Sequence, residues 1–509
     1  MLQAVLDEVS RTGETATSSS SFGSRLSYVQ ASVSLSEVIS AMTFALDMTE
    51  GAVPGHSLRS CLLGMRLAAA MDIPEEMSSS LYYALQLKDT GCSNNAARMT
   101  QIVGGDDRAA KNLAKLVDWT KPLSMNLHSL QALWTNILPK GNLLQRLARL
   151  IRVGLTQHRN NREMIQLRCE RGAEIVRKLE MGEMAAEAVR RIDEHWDGSG
   201  YPENLCAHDI PLLARICSLA QNLDVFATEG GTEAAMEVIR QRSSKWFDPL
   251  LVELAEKLDT NGTLWTDALV SDGVESTRLA VLALDPGVHA RLVPERVDRI
   301  CEAFASIVDA KSPFTYRHSI GVADVAVQIA EEMGLAPDRV QLVRRAALLH
   351  DIGKLHVSNT ILDKNGDLTR EEWEVVLKHP AVTRSILERV SSFRELAVVA
   401  GEHHEKMDGS GYPLGLKGDQ MSIESRVIAM ADTFAALAEE RPYREAIEPQ
   451  KILTILAPSV PNKFDPECFA ALRCMVERWT NEQRIGPWTK RVTGTVPEYK
   501  EWPTVVAPV

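Results

Sequence analysis

The sequence lacks several things, and each absence narrows the choices. Its eight cysteines (Cys61, Cys92, Cys169, Cys206, Cys217, Cys301, Cys468 and Cys474) form no CxxC pair. That speaks against a thiolate metal motif or a disulfide framework and for a reducing compartment. No apolar run approaches the roughly 18 residues of a membrane span. The opening stretch MLQAVLDEVSRTGETATSSSS shows no basic n-region and no long apolar h-region, so neither a secretory signal nor a membrane anchor is expected. The expected location is cytoplasmic. Positive charge is in deficit: 56 Lys plus Arg stand against 68 Asp plus Glu, a net −12. A nucleic-acid polymer, which asks for a basic footprint, is therefore not an expected partner. A small phosphate ligand stays compatible, because a local cationic site overrides the global field. Histidine is scarce, at 12, so its clustering is informative.

What is present reads as an ordinary folded protein, 45% hydrophobic and 24% charged. Its 509 residues allow roughly two to four domains. Residues 11–24, rich in Ser, Thr and Gly, read as part of a flexible leader over 1–30. Beyond it the periodicity is helical. His318, Val322, Val325, Ala326, Ile329 and Met333 share one face, and Gly334 ends the run. Thr369 and Glu372 form a capping-box pattern before the helix expected to carry His379. Strand-like alternation is sparse, so the expected fold class is all-α.

The chain is also written twice. HWDGSGYP at 195–202 returns as KMDGSGYP at 406–413. Tyr201 and Tyr412 are 211 positions apart, as are Gly172 and Thr383, and Arg215 and Arg426. Phe247-Asp248-Pro249 returns as Phe464-Asp465-Pro466 at 217. Upstream, His56-Ser57 matches His318-Ser319, and Asp89 matches Asp351, both at 262. The change from 262 to 211 places 51 extra residues in the first copy, around 93–165. The expected units are 31–260 and 296–480, joined by a linker over 261–295 and followed by a tail over 481–509.

The second copy gathers metal-ligand types: His318, His350, Asp351, His379, His403, His404 and Asp432. Imidazole with carboxylate suits Fe, Mn, Zn or Ni. Seven ligands exceed one tetrahedral ion and fit two sharing a carboxylate. Two ions roughly 3.5–4 Å apart can hold a hydroxide and clamp a phosphoryl group. Asp432 lies within Val427–Leu437, apolar nearly all round. A carboxylate buried there needs a cation. A helix cap or an arginine partner would account for Asp432 alone, but not for all seven together.

The strings HDIGK at 350–354, HHEKMDGSGYP at 403–413 and RVIAMADTFAALAEERPYR at 426–444 closely resemble the HD-GYP subgroup of HD-domain phosphohydrolases. The resemblance is specific over roughly 300–475 and degenerate over 35–260. It implies two tandem HD-type helical bundles, the second with a metal centre holding two divalent ions, Fe or Mn foremost. One ion would take His318, His350 and Asp432, the other His379, His403 and His404, with Asp351 bridging. Lys354 would face the scissile phosphate and, with Asp351, carry the catalysis. Gly411, Tyr412, Pro413, Arg441 and Arg444 would contact substrate. The implied reaction is hydrolysis of cyclic di-GMP to pGpG and, in some members, GMP. Phe314 stands where some members place a metal-binding Glu, so two metals are expected rather than three. Thr383 stands where Gly is common.

Aligned by the same offsets, the first copy keeps His56 and Asp89 but has Lys88, Arg168, Ile192, Asp193 and Gln221 at the other ligand positions, and Cys92 in place of Lys354. Binuclear binding is not expected there. Lys88 and Arg168 are instead expected to neutralise Asp89 and Asp193. Its retained DGSGYP is read as a turn, or as part of a dimerisation surface, in preference to a nucleotide sensor. The competing readings are an HD hydrolase for another cyclic dinucleotide or a phosphomonoester, and a regulatory scaffold whose first copy binds a protein partner. A homodimer fits either.

Overall fold

A computed structural model describes residues 33–116, 134–139, 141–286, 292–312, 317–439 and 445–481. The expected leader, most of the tail, Phe314, Arg441 and Arg444 lie outside the described residues. Within them the chain is helical, with isolated bridges and no strand. None of these helices is long and apolar enough to cross a membrane. All eight cysteines are free thiols.

The first copy runs α1 (Leu35–Glu50), α2 (His56–Ala70), α3 (Glu75–Leu87), α4 (Ala96–Val103), α5 (Asp107–Leu116), α6 (Leu143–Lys178), α7 (Glu183–Arg190), α8 (Leu212–Gly230), α9 (Thr232–Gln241) and α10 (Pro249–Thr260). After α11 (Val274–Ala283), the second copy runs α12 (Pro294–Asp309), α13 (His318–Glu332), α14 (Pro337–Leu349), α15 (Asn359–Leu362), α16 (Arg370–Val376), α17 (His379–Leu387), α18 (Arg394–Gly401), α19 (Ile423–Ala438), α20 (Pro449–Leu456) and α21 (Pro466–Asn481).

The repeat is visible contact by contact. Asp47 accepts from Ser57, and Asp309 accepts from Ser319. Glu194 takes the amides of Glu203 and Leu205, and Glu405 those of Leu414 and Leu416. The Phe-Asp-Pro triplet is a helix start. Asp248 and Asp465 cap α10 and α21, whose first residue is the proline. Proline suits that position because its missing N–H would have had no intrahelical partner there. Each capping aspartate also holds an arginine, Arg215 at 2.5 Å and Arg426 at 3.1 Å. One apolar core runs through both copies. The extra residues of the first copy build α4, α5 and much of the 36-residue α6.

One expectation needs correction, and the joining segment has structure of its own. The capping box of Thr369 and Glu372 forms, but the helix it opens ends at Val376. His379 instead begins α17, because Pro380 cannot continue the preceding ladder and is at home in a first turn. The segment 261–295 is more than a tether. It contains α11, whose Thr277, Arg278 and Val281 are buried, and Arg278 reaches both the Ser40 hydroxyl and the Arg389 carbonyl.

Candidate metal centre

Five segments of the second copy converge on one buried point. His318 opens α13, and His350 and Asp351 follow α14. His379 opens α17, His403 and His404 follow α18, and Asp432 lies within α19. Donor atoms of His318, His350 and Asp432 lie within 4.8 Å of one another, as do those of His379, His403 and His404. His350, Asp351 and His403 form a third such group between them. Asp351 Oδ2 is 3.3 Å from His350 Nε2 and 3.8 Å from His318 Nε2. Its Oδ1 is 3.3 Å from His379 Nε2 and 3.8 Å from His403 Nε2. Asp432 reaches His318 at 3.2 Å and His404 at 3.8 Å.

Local backbone aims the rings. Nδ1 of His350, His379 and His403 each lies 2.7 Å from the carbonyl three residues earlier, Ala347, Val376 and Ala400. A carbonyl only accepts, so each Nδ1 carries the proton and each Nε2 turns a lone pair inward. Consequently the Nε2 atoms of His379 and His403 face each other lone pair to lone pair at 3.1 Å. His350 Nε2 is buried with no hydrogen-bond partner. These features fit a cage for cations, which would relieve both.

The electrostatics agree. Burial holds His379 below its ordinary value, His403 well below, and His404 down to about 3. Burial also opposes charge on His318, yet Glu439 and Asp432 raise it to about 10. Against the same burial, His350 and Lys354 hold Asp351 well below the carboxylate range, and His318 and His350 do so for Asp432. His379, His403 and His404 are thus neutral imidazoles beside ionised carboxylates, the forms a metal needs, whereas the carboxylates draw His318 and His350 toward the protonated form, so a metal bound there would displace a proton.

Lys354 Nζ lies 2.5 Å from Asp351 Oδ2 and is partly exposed. The Tyr412 ring lies 4.8 Å from that of His404, and its N–H donates to the His404 carbonyl at 3.3 Å. Gly411 must be glycine, since a Cβ would stand 2.4 Å from Glu405 Cα. At the matching Gly200 a Cβ would stand 2.2 Å from His195 N, so the loop's own packing accounts for this glycine in both copies.

Two contributors were missed in the sequence. Glu439 sits 3.0 Å from His318 Nδ1; an acid two helical turns beyond Asp432 was the available signal. Thr383 accepts from the Gly353 amide at 3.0 Å and donates to the His350 carbonyl at 2.7 Å. The departure from glycine there ties α17 to the ligand turn.

In the first copy Lys88 pairs with Asp89 and Arg168 with Asp193, as expected. His56 Nδ1 is held by Asp224 at 2.6 Å, together with Arg59. Glu50, Asp89 and Cys92 also cluster, but ammonium groups already stand there, with Lys111 3.5 Å from Glu50. A cavity of about 150 Å³ remains, lined by Cys92, Arg168, Ile192, Asp193, Gln221 and Trp246 among others. Lys88 and Asp89 are almost wholly buried, so Lys88→Met should strand a charge. The expected loss is about 3–5 kcal/mol in urea denaturation. Adding Asp89→Asn should recover most of it. An unchanged urea midpoint in the single variant would show that Lys88 does not neutralise Asp89.

Comparison with known proteins places this architecture. Residues 85–251 and 302–468 each match the HD domain family model. The chain is 41% identical over 452 residues to 3′3′-cGAMP-specific phosphodiesterase 3 of Vibrio cholerae, covering 88% of this chain and 96% of that one. The crystal structure of a cyclic GMP-AMP specific phosphodiesterase from V. cholerae aligns with a TM-score of 0.61 at 36% identity, over 89% of this chain and 100% of that one. The cyclic di-GMP phosphodiesterase response regulator RpfG of Xanthomonas campestris is 35% identical over 202 residues, 39% of this chain and 53% of that one. The chain therefore belongs to the HD-GYP group of the HD-domain family, among cyclic di-GMP and cGAMP phosphodiesterases, and carries two HD domains in tandem.

Proposed function

We propose that the second copy is a metal-dependent phosphodiesterase that opens a cyclic dinucleotide, with 3′3′-cGAMP as its preferred substrate. The observation that carries the activity is the convergence of His318, His350, Asp351, His379, His403, His404 and Asp432 on one buried point. The preference rests on likeness to a cGAMP-specific enzyme along nearly the whole chain, both copies included. Cyclic di-GMP is the second reading, favoured by relatives such as RpfG that match a smaller part.

In this reading His318, His350 and Asp432 would hold one divalent ion. His379, His403 and His404 would hold the other, with Asp351 within reach of both groups. The bound ions would supply Lewis acidity toward the phosphoryl oxygens and a water acidic enough to attack at neutral pH. Imidazole and carboxylate donors suit Fe, Mn, Zn or Ni, and the family resemblance puts Fe or Mn foremost. Lys354 neutralises charge building on the phosphoryl oxygens and gives a proton to the departing 3′-oxygen. Tyr412, fixed beside His404, offers a ring for a base or ribose to lie against, with Gly411 and Pro413 shaping that wall. Arg441 and Arg444 are proposed phosphate contacts on the family resemblance alone. The product is the linear dinucleotide.

The test is steady-state turnover of 3′3′-cGAMP and cyclic di-GMP by metal-loaded protein. A kcat/KM at least about tenfold higher for 3′3′-cGAMP is expected, well within the discrimination that a site built to hydrogen-bond one base edge supplies. Equal or better cleavage of cyclic di-GMP overturns the preference. No turnover of either overturns the activity.

A further inference from the structure

The turn that follows the His350-Asp351 pair is gripped from outside its own copy. Asp107, fully buried at the start of α5, accepts from the Asn359 amide at 3.0 Å and from the Ser358 hydroxyl at 3.2 Å. Arg108 donates to the His356 carbonyl at 2.5 Å. Both residues belong to the insertion that swells the first copy, some 250 positions earlier in the chain. Helix α5 is itself anchored in that copy, because Lys111 Nζ bonds the carbonyls of Thr49 at 3.2 Å and Cys92 at 3.1 Å. From the other side, the buried Lys311 donates to the Leu355 carbonyl at 2.6 Å, and Asn359 Nδ2 donates to the Lys311 carbonyl at 2.7 Å.

The gripped residues lead directly into the site. The His356 ring, held neutral by burial, sits between two carbonyls, that of Gly353 at 2.5 Å from Nδ1 and that of Val375 at 3.2 Å from Nε2, and donates its one N–H to the nearer. The neighbouring Val376 carbonyl orients His379. Gly353 is tied through Thr383 to the His350 carbonyl. Lys354 donates its backbone N–H to the Asp351 carbonyl at 2.8 Å, and Val357 donates to that of Lys354 at 3.0 Å. A shift of His356 therefore moves both Asp351 with Lys354 and the ring of His379.

We propose that Asp107 and Arg108 are positioning residues for the phosphodiesterase site: α5 of the first copy clamps residues 356–359 and so holds Asp351, Lys354 and His379 in register. The clamp gives the ligand-poor copy a direct role in catalysis by its neighbour. The inference rests on the activity proposed above for the second copy, but its structural half can be tested without that activity.

The experiment uses the full chain with three variants. Arg108→Met removes the grip on His356 through a side chain that is 30% exposed, so folding should survive. Asp107→Ala removes the grip on Ser358 and Asn359. Arg108→Lys keeps a donor and is the conservative control. The first readout is amide hydrogen exchange of the metal-loaded protein. Residues 352–362 should exchange at least about tenfold faster in Arg108→Met, with α13 unchanged, and Arg108→Lys should return toward wild type. The second is kinetics. Both disruptive variants should lose about 10–100-fold in kcat, with KM within about twofold and metal content retained, since small misplacements of reacting groups carry that cost. Wild-type exchange at 352–362 in Arg108→Met overturns the clamp whether or not the protein turns over a dinucleotide. Faster exchange with unchanged kcat overturns the catalytic role. An inactive wild type would count against the proposed activity and leave the exchange result to decide on the clamp.

Discussion

Asp351→Ala is expected to lower kcat by about 10³-fold or more and to strip most of the bound metal. Its carboxylate meets His318, His350 and Lys354 through Oδ2, and His379 and His403 through Oδ1. It is thus in reach of members of both ligand groups and of the proposed proton donor. Removing it takes away the charge shared between the groups while the imidazoles stay in place. A loss of several kcal/mol of transition-state stabilisation corresponds to the expected factor. Asp351→Asn should behave almost as badly, because the shape survives but the charge does not. Elemental analysis of anaerobically handled protein alongside turnover would check this. An alanine variant with wild-type metal content and rate would show that the centre is assigned to the wrong residues.

The second large effect should come from one methyl group. At Gly353 a Cβ would stand 2.1 Å from the His379 carbonyl oxygen, 2.8 Å from Thr383 N and 2.9 Å from Thr383 Oγ1. Two of these three atoms are backbone, so no side-chain rotation relieves the clash. In Gly353→Ala the turn and α17 must part, and the Thr383 link between Gly353 and His350 must break. Overpacking of this kind costs about 3 kcal/mol. Displacing His379 by even 1 Å should cost about 10²-fold in rate. Thermal unfolding and turnover of the metal-loaded variant would measure both. At Gly91 a Cβ would stand 2.0 Å from the Arg168 carbonyl oxygen, so Gly91→Ala should destabilise the first copy comparably. A Gly353→Ala protein with the wild-type melting temperature and rate would mean that α17 can yield there.

These effects trace to features of unequal visibility in the sequence. The repeat was legible because its landmarks serve backbone geometry that tolerates little change. The Phe-Asp-Pro helix start, the tight Gly200 and Gly411, and the glycine against the neighbouring helix all recur in the same order in both copies. The seven ligand types were legible as a set, and so were the Lys88 and Arg168 pairs, because equivalent positions had exchanged a ligand for a cation. What escaped detection was contact made by approach in space. Glu439 and Asp224 each hold the first histidine of their copy, from the far end of another helix. Asp107 reaches Asn359 across 252 positions, and no local pattern encodes that distance. The break between α16 and α17 was visible in Pro380, but the helical periodicity across it was read as continuous.

The carbonyls that orient His350, His379 and His403 have a further consequence. They belong to the last turns of α14, α16 and α18. Three helices therefore end against the same small volume. Each carboxyl end carries roughly half a negative charge from its aligned peptide dipoles. These carboxyl ends add to the pull on cations, and the amino ends of α13 and α17, which open at His318 and His379, offset part of it. The first copy inherits part of this scaffold, since α3 also ends there, and its terminal position is Lys88. Lys88, standing where the second copy has His350, lies at a helix carboxyl end whose field suits a cation.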